Sequence, residues 1–200
     1  LPGRRNQERL GSIRGDWEAG APSREATLEL LQCLRSQSAD DAAGLVVEQL
    51  NRGVAPQSVW DAMFLASGEL LMRQPGIVGL HTVTTTNALY QAYLNSGVDA
   101  TRRFVLLQNA AFLPMFLQAM RGRGDDTDVT IESLEPAPLM GDQAAAAEEI
   151  FADVSRDKMQ ATRKTLGYLG APAAEATEPV MSRIVLDVRF HVQIQLGEHL

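Results

Sequence analysis

Between residues 74 and 98 the chain reads QPGIVGLHTVTTTNALYQAYLNSGV and holds no Asp, Glu, Lys or Arg. A surface helix ordinarily carries a charged face, so a charge-free run of this length predicts a segment surrounded by protein on all sides. The run is also polar for such a place. His81, Thr82, Thr84, Thr85, Thr86, Asn87 and Gln91 each need a hydrogen-bond partner if buried. That combination fits either a buried polar site or a well-satisfied core.

A chain of 200 residues with 45% hydrophobic side chains is long enough for one sizeable core. The formal charge of -7 and the scattered Lys and Arg argue against a nucleic-acid-binding surface, which needs clustered cations to neutralise phosphates. Cys33 is the one cysteine. It cannot close an internal disulfide and points to a reducing compartment, the cytoplasm. The longest uncharged runs are rich in Thr, Asn and Gln or interrupted by Pro114, so no membrane span is expected.

Helical signals follow one another along the chain. Residues 1–22 form a polar arm anchored by Trp17 and broken at Gly20, Ala21 and Pro22. Ser23 caps the next helix, Asp40 or Asp41 opens another that ends at Gly53, and Pro56 sits in the first turn of a third, where its missing N–H is harmless. The charge-free helix, about 77–95, turns at Ser96-Gly97 into a helix whose body, 104–120, is also free of charge. Two such helices predict an antiparallel hairpin buried at the centre of a bundle.

Residues 122–142, rich in Gly, Pro and Asp, make a long irregular excursion with a short extended piece at 129–131. A single long helix is expected over 143–169. In 184–196 apolar residues alternate with polar ones, which is a strand signature, yet no partner strand is evident; the segment reads as a helix, with a strand as the alternative. The expected fold is therefore mainly all-α: a multi-helix bundle around a buried hairpin, with residues 23–200 as one helical domain behind the arm.

Three histidines carry the candidate chemistry. On a helix His81 and Thr85 share one line, and Asn87 and Gln91 lie on the adjacent one, with Asn109 in the partner helix. A histidine beside hydroxyl and amide groups suits a general base or a ligand oriented through its second nitrogen. Asp187 and His191 stand four apart, the spacing at which a carboxylate orients an imidazole, and His199 follows two turns later. His81, His191 and Asp187 are the candidate catalytic residues. Thr85, Asn87, Gln91 and Asn109 are candidate ligand-binding residues, and His81, His191 and His199 candidate ligands for a metal or a haem. Glu69, in the apolar stretch FLASGELLM, is read as a helix position touching solvent, and Cys33 as a small buried hydrophobe.

Motifs for zincins, diiron bundles, Cys-x-x-Cys centres, phosphate loops, dinucleotide folds and serine-hydrolase elbows do not occur. Residues 50–62, LNRGVAPQSVWDA, resemble the helix-turn-helix phrase before the second half of the carboxymuconolactone decarboxylase and alkylhydroperoxidase-like domain. The Cys-x-x-Cys and following histidine that define the peroxidase branch have no counterpart, so the resemblance brings no activity with it.

Two functions follow from these residues. One is a buried polar pocket centred on His81 that binds a small organic ligand, metal or haem and catalyses oxidation or proton transfer. The other is a non-catalytic helical subunit whose charge-free surface is covered by another copy or by a partner.

Overall fold

The computed structural model describes residues 2–123, 127–141 and 143–169. The fold is all-α, and the described residues form no sheet; an isolated parallel bridge joins Ala21 to Val54. The chain divides into two compact units, Leu1–Ile131 and Glu132–Leu200, where one domain over 23–200 was expected. The boundary falls within the irregular excursion, and the N-terminal arm belongs to the first unit.

In the first unit six helices follow one another: α1 (Pro2–Arg9), α2 (Arg24–Ser36), α3 (Ala39–Asn51), α4 (Pro56–Arg73), α5 (Ile77–Asn95) and α6 (Asp99–Met120). Local chemistry sets their starts. The Ser23 side chain accepts from the Ala26 N–H, and Ser38 and Asp41 form a reciprocal capping box at α3, which therefore starts ahead of the expected opening at Asp40 or Asp41. Pro56 occupies the first turn of α4 as its sequence predicts.

Burial of apolar faces then assembles the bundle. Leu30, Leu31 and Leu34 of α2, Val46 and Leu50 of α3, Val59, Trp60 and Met63 of α4, and Leu106, Leu107 and Leu113 of α6 make one continuous core. The α4 helix lies against α2, α5 and α6, and α3 lies against α6. The arm closes over this core. Buried Trp17 donates its indole N–H to Asp99 at 2.7 Å, and Asn6 of α1 donates to the Leu107 carbonyl at 3.2 Å and to the Gln108 side-chain oxygen at 3.3 Å. The Arg102 guanidinium lies over the Tyr93 ring at 4.5 Å and pairs with Glu18.

Two departures from expectation have plain causes. Glu69, expected to touch solvent, is 1% exposed. Arg35 from α2 grips both of its carboxylate oxygens, at 3.0 and 2.5 Å, Arg73 stands 3.9 Å away one turn on, and the Ile131 N–H donates to it at 3.1 Å. A carboxylate so surrounded is tolerated inside because its charge is compensated there. Among the described residues the segment 129–131, expected to be extended, pairs with no strand, and its Ile131 delivers that backbone donor; its candidate partner over 184–196 lies outside the described residues.

Close approach of α4 and α5 requires Gly79. A Cβ on Gly79 would lie 2.6 Å from the Gln74 carbonyl oxygen and 3.1 Å from the Leu71 Cα. Gly20 is constrained likewise: a Cβ there would lie 2.5 Å from the Val54 carbonyl carbon, beside the bridge that ties the arm to the start of α4.

In the second unit the expected single helix over 143–169 is two helices, α7 (Gln143–Val154) and α8 (Lys158–Leu169), packed against each other. Asp157 makes the break. Its side chain accepts the Gln160 N–H at 3.0 Å and so caps α8, the local alternative to helix that aspartate offers. Ala146, Ala147, Ile150 and Tyr168 form the small core of this pair. Lys164 reaches across from α8 to Asp153 at 2.5 Å and Glu149 at 2.6 Å.

Two outcomes are expected. Gly79→Ala lowers stability by about 1–3 kcal/mol, measured by urea unfolding, although alanine is the better helix former by about 1 kcal/mol, because backbone atoms cannot yield to the added methyl. The hydrogen bond from Lys164, followed by that from the Met140 N–H, holds the Glu149 carboxyl below its ordinary value of 4.5. Its contribution to the α7–α8 pair is full above pH 4.5 and is lost as pH falls through the depressed value. Amide exchange in these helices across that range reads the loss.

Candidate functional site

Helix α5 is the segment from which the expected site was built, and it has two faces of similar composition. The inner one presents Gly79, Thr82, Thr86 and Tyr93, which are buried. Thr82 donates its hydroxyl to the Ser67 carbonyl of α4 at 3.0 Å and to its own Gly79 carbonyl at 2.6 Å. Thr86 donates to the Asn109 side-chain oxygen of α6 at 3.3 Å, and the Asn109 amide donates to the Met63 sulfur of α4 at 3.3 Å. The inner polar groups thus bond α5 to α4 and α6 and are used up in doing so. Toward the C-terminal end, Tyr93 packs with Trp17, Trp60 and Tyr90, and burial pushes its phenol up against the opposing pull of Arg102.

The outer face is the unexpected one. Ile77 is 65% exposed, Leu80 48%, Leu94 54%, and Val98, just beyond the helix end, 59%. Thr84, Asn87, Ala88 and Gln91 lie between them, also exposed. The positions 77, 80, 84, 87, 91, 94 and 98 repeat at the three-and-four spacing of a coiled-coil seam. The expectation that residues 74–98 are enclosed on all sides is corrected accordingly. Missing charge marked a face without ions, and among the described residues one of the two faces is buried and the other exposed.

The predicted site residues divide between these faces. His81, Asn87 and Gln91 stand exposed on the outer side, Thr85 is half-buried, and Asn109 is fully buried. Asn109 and Thr86 come together; His81 does not join them, because it projects from the opposite side of the helix. The buried pocket expected around His81 is therefore not formed by these residues. Thr84 bonds back to the Leu80 carbonyl at 3.1 Å and to the His81 carbonyl at 3.5 Å, the local back-bonding of threonine on a helix. Asp187, His191 and His199 lie outside the described residues, as does the segment 184–196. Among the described residues no group of His, Cys, Asp and Glu is arranged to hold a metal ion, and no helix is long and apolar enough to cross a membrane.

Surface hollows lie elsewhere among the described residues. One of about 600 Å³ between α2 and α4 is lined by Thr27, Ser58, Asp61, Phe64, Leu65 and Ile131 among others. One of about 300 Å³ joins the end of α2 to α6 near Arg35, Pro114 and Arg121, and one of about 220 Å³ sits beside Arg5, Asn6 and Asp40. Asn6 and Arg35 on their walls are engaged in the bonds already described. Cys33 is partly buried against the core, and burial raises its thiol above the ordinary value, so it is a poor nucleophile.

Compared with known proteins, the chain matches no family description, no curated protein and no solved structure.

The two faces of α5 are separable by substitution. His81→Ala leaves stability within about 0.5 kcal/mol of the parent, while Asn109→Ala lowers it by about 1–3 kcal/mol by leaving Thr86 without its acceptor. Urea unfolding of both variants measures the difference.

Proposed function

We propose that this protein is a non-catalytic helical subunit, and that the outer face of α5 is the surface through which it docks a protein partner. The observation that carries the reading is a helix of 19 residues whose exposed side is apolar at both ends, polar in the middle and free of formal charge throughout. Depletion of charge at the centre of a patch, with large aliphatic side chains left in water, distinguishes interface cores from ordinary surface. Leaving Ile77, Leu80, Leu94 and Val98 in water forfeits burial that each could have given the fold. A partner supplies that burial.

The inner polar network supports the same reading. Thr82, Thr86 and Asn109 fix the register of α5 against α4 and α6, so the outer face is presented by a rigid helix rather than by a loop. A rigid seam loses little freedom on docking, which favours recognition by shape. The single cysteine suits a reducing, cytoplasmic setting in which such an assembly works.

A photo-crosslinking side chain placed at Thr84 tests the proposal in extract of the parent cells. Defined adducts are expected from Thr84. They are lost when Leu80→Glu and Leu94→Glu are added, and none form from the same probe at Glu48 on the charged surface of α3. Equal labelling from Glu48, or adducts indifferent to the two glutamates, would contradict a docking role.

A further inference from the structure

The order of residues along the outer seam of α5 names the partner. Asn87 stands at the middle, and Leu80 and Leu94 lie one heptad before and after it. Thr84 and Gln91 flank it more closely, while Ile77 and Val98 mark the two ends. Read in either direction, the seam runs from aliphatic through uncharged polar to aliphatic. Resting on the docking role argued above, we propose that the occupant is a second copy of this chain, with the two α5 helices antiparallel about a two-fold axis at Asn87.

Symmetry makes such a face self-complementary. In an isologous contact residue i of one copy meets j of the other and j meets i, so a seam with mirrored ends satisfies both halves at once. Leu80 of each copy then lies at the level of Leu94 of the other, about 10 Å from the axis. Asn87 and its neighbours Thr84 and Gln91 meet across the centre, where side-chain amides and hydroxyls can bond to their own kind, and a polar residue at one core position fixes register. The antiparallel arrangement also sets the positive end of each helix beside the negative end of the other.

Charge points the same way. Each copy carries a formal charge of -7, so two copies repel wherever acidic surfaces face each other. Residues 74–98 contribute none of the 18 Lys and Arg or the 25 Asp and Glu, and a contact made there brings no ions together. The helix is about 28 Å long. Covering one side of it on both copies removes on the order of 1,000 Å² from water, at the lower limit of specific interfaces. The dimer therefore dissociates on dilution.

Sedimentation equilibrium or light scattering from low-micromolar to near-millimolar concentration reads the association directly. The mass is expected to rise from 21.8 kDa toward twice that value, and Leu80→Glu with Leu94→Glu is expected to weaken dimerisation more than tenfold while the helical circular dichroism stays unchanged. In a Cys33→Ser background, Asn87→Cys should close an intermolecular disulfide on mild oxidation, being on the axis, and Ile77→Cys should not, being far from its mate. This pair keeps the test decisive should the double glutamate variant fail to fold. A mass of 21.8 kDa at every concentration, or a dimer indifferent to the glutamates, overturns the proposal. Adducts from the Thr84 crosslinker that never include a linked pair of this chain would remove the second copy and leave the docking surface standing; no adduct at all would remove both.

Discussion

Satisfying polar groups inside a water-excluded bundle is the constraint from which the rest of the first unit follows. Helix α4 is packed on several sides, and it carries Glu69 inward, where burying a polar side chain without partners is costly. Arg35, Arg73 and the Ile131 N–H compensate it from α2, from its own next turn and from the segment that leaves α6. One buried charge thereby ties together pieces of chain distant in sequence. Asn109 does the neutral equivalent for α4, α5 and α6, and Asn6 for the arm and α6. Such contacts are directional, so each admits one register where apolar packing alone would accept several.

The all-α class and most helix starts were legible because they depend on neighbours in sequence. Ser23 caps because its oxygen reaches a donor three residues on, and Pro56 opens a helix because its ring already has the right dihedral. Glu69 was misread because its main partner, Arg35, lies 34 residues away, and nothing in the local pattern announces it. The break between α7 and α8 was missed for a subtler reason. The apolar pattern continues across Asp157, and whether that side chain caps a new helix or faces water on an unbroken one is decided by packing rather than propensity.

The site was only half legible. Residues 74–98 stood out, but absence of charge has two physical causes, enclosure within the fold and reservation for a contact outside it, and composition does not tell them apart. Heptad spacing does: Gly79, Thr82, Thr86 and Tyr93 form one stripe, and Ile77, Leu80, Thr84, Asn87, Gln91 and Leu94 another on the far side. Assigning His81 and Asn109 to one pocket merged these stripes. The unused signal was a helix with two uncharged seams, one more than a single layer of neighbours can cover.

Among the described residues the outer seam lies largely in water, and the inner one bonds α5 to α4 and α6. The groups that hold α5 in the bundle and the face proposed for docking therefore lie on different sides of the same helix. Such a division frees the outer side to drift, and a lineage could exchange one companion for another there through a few aliphatic substitutions while the architecture beneath is inherited unchanged.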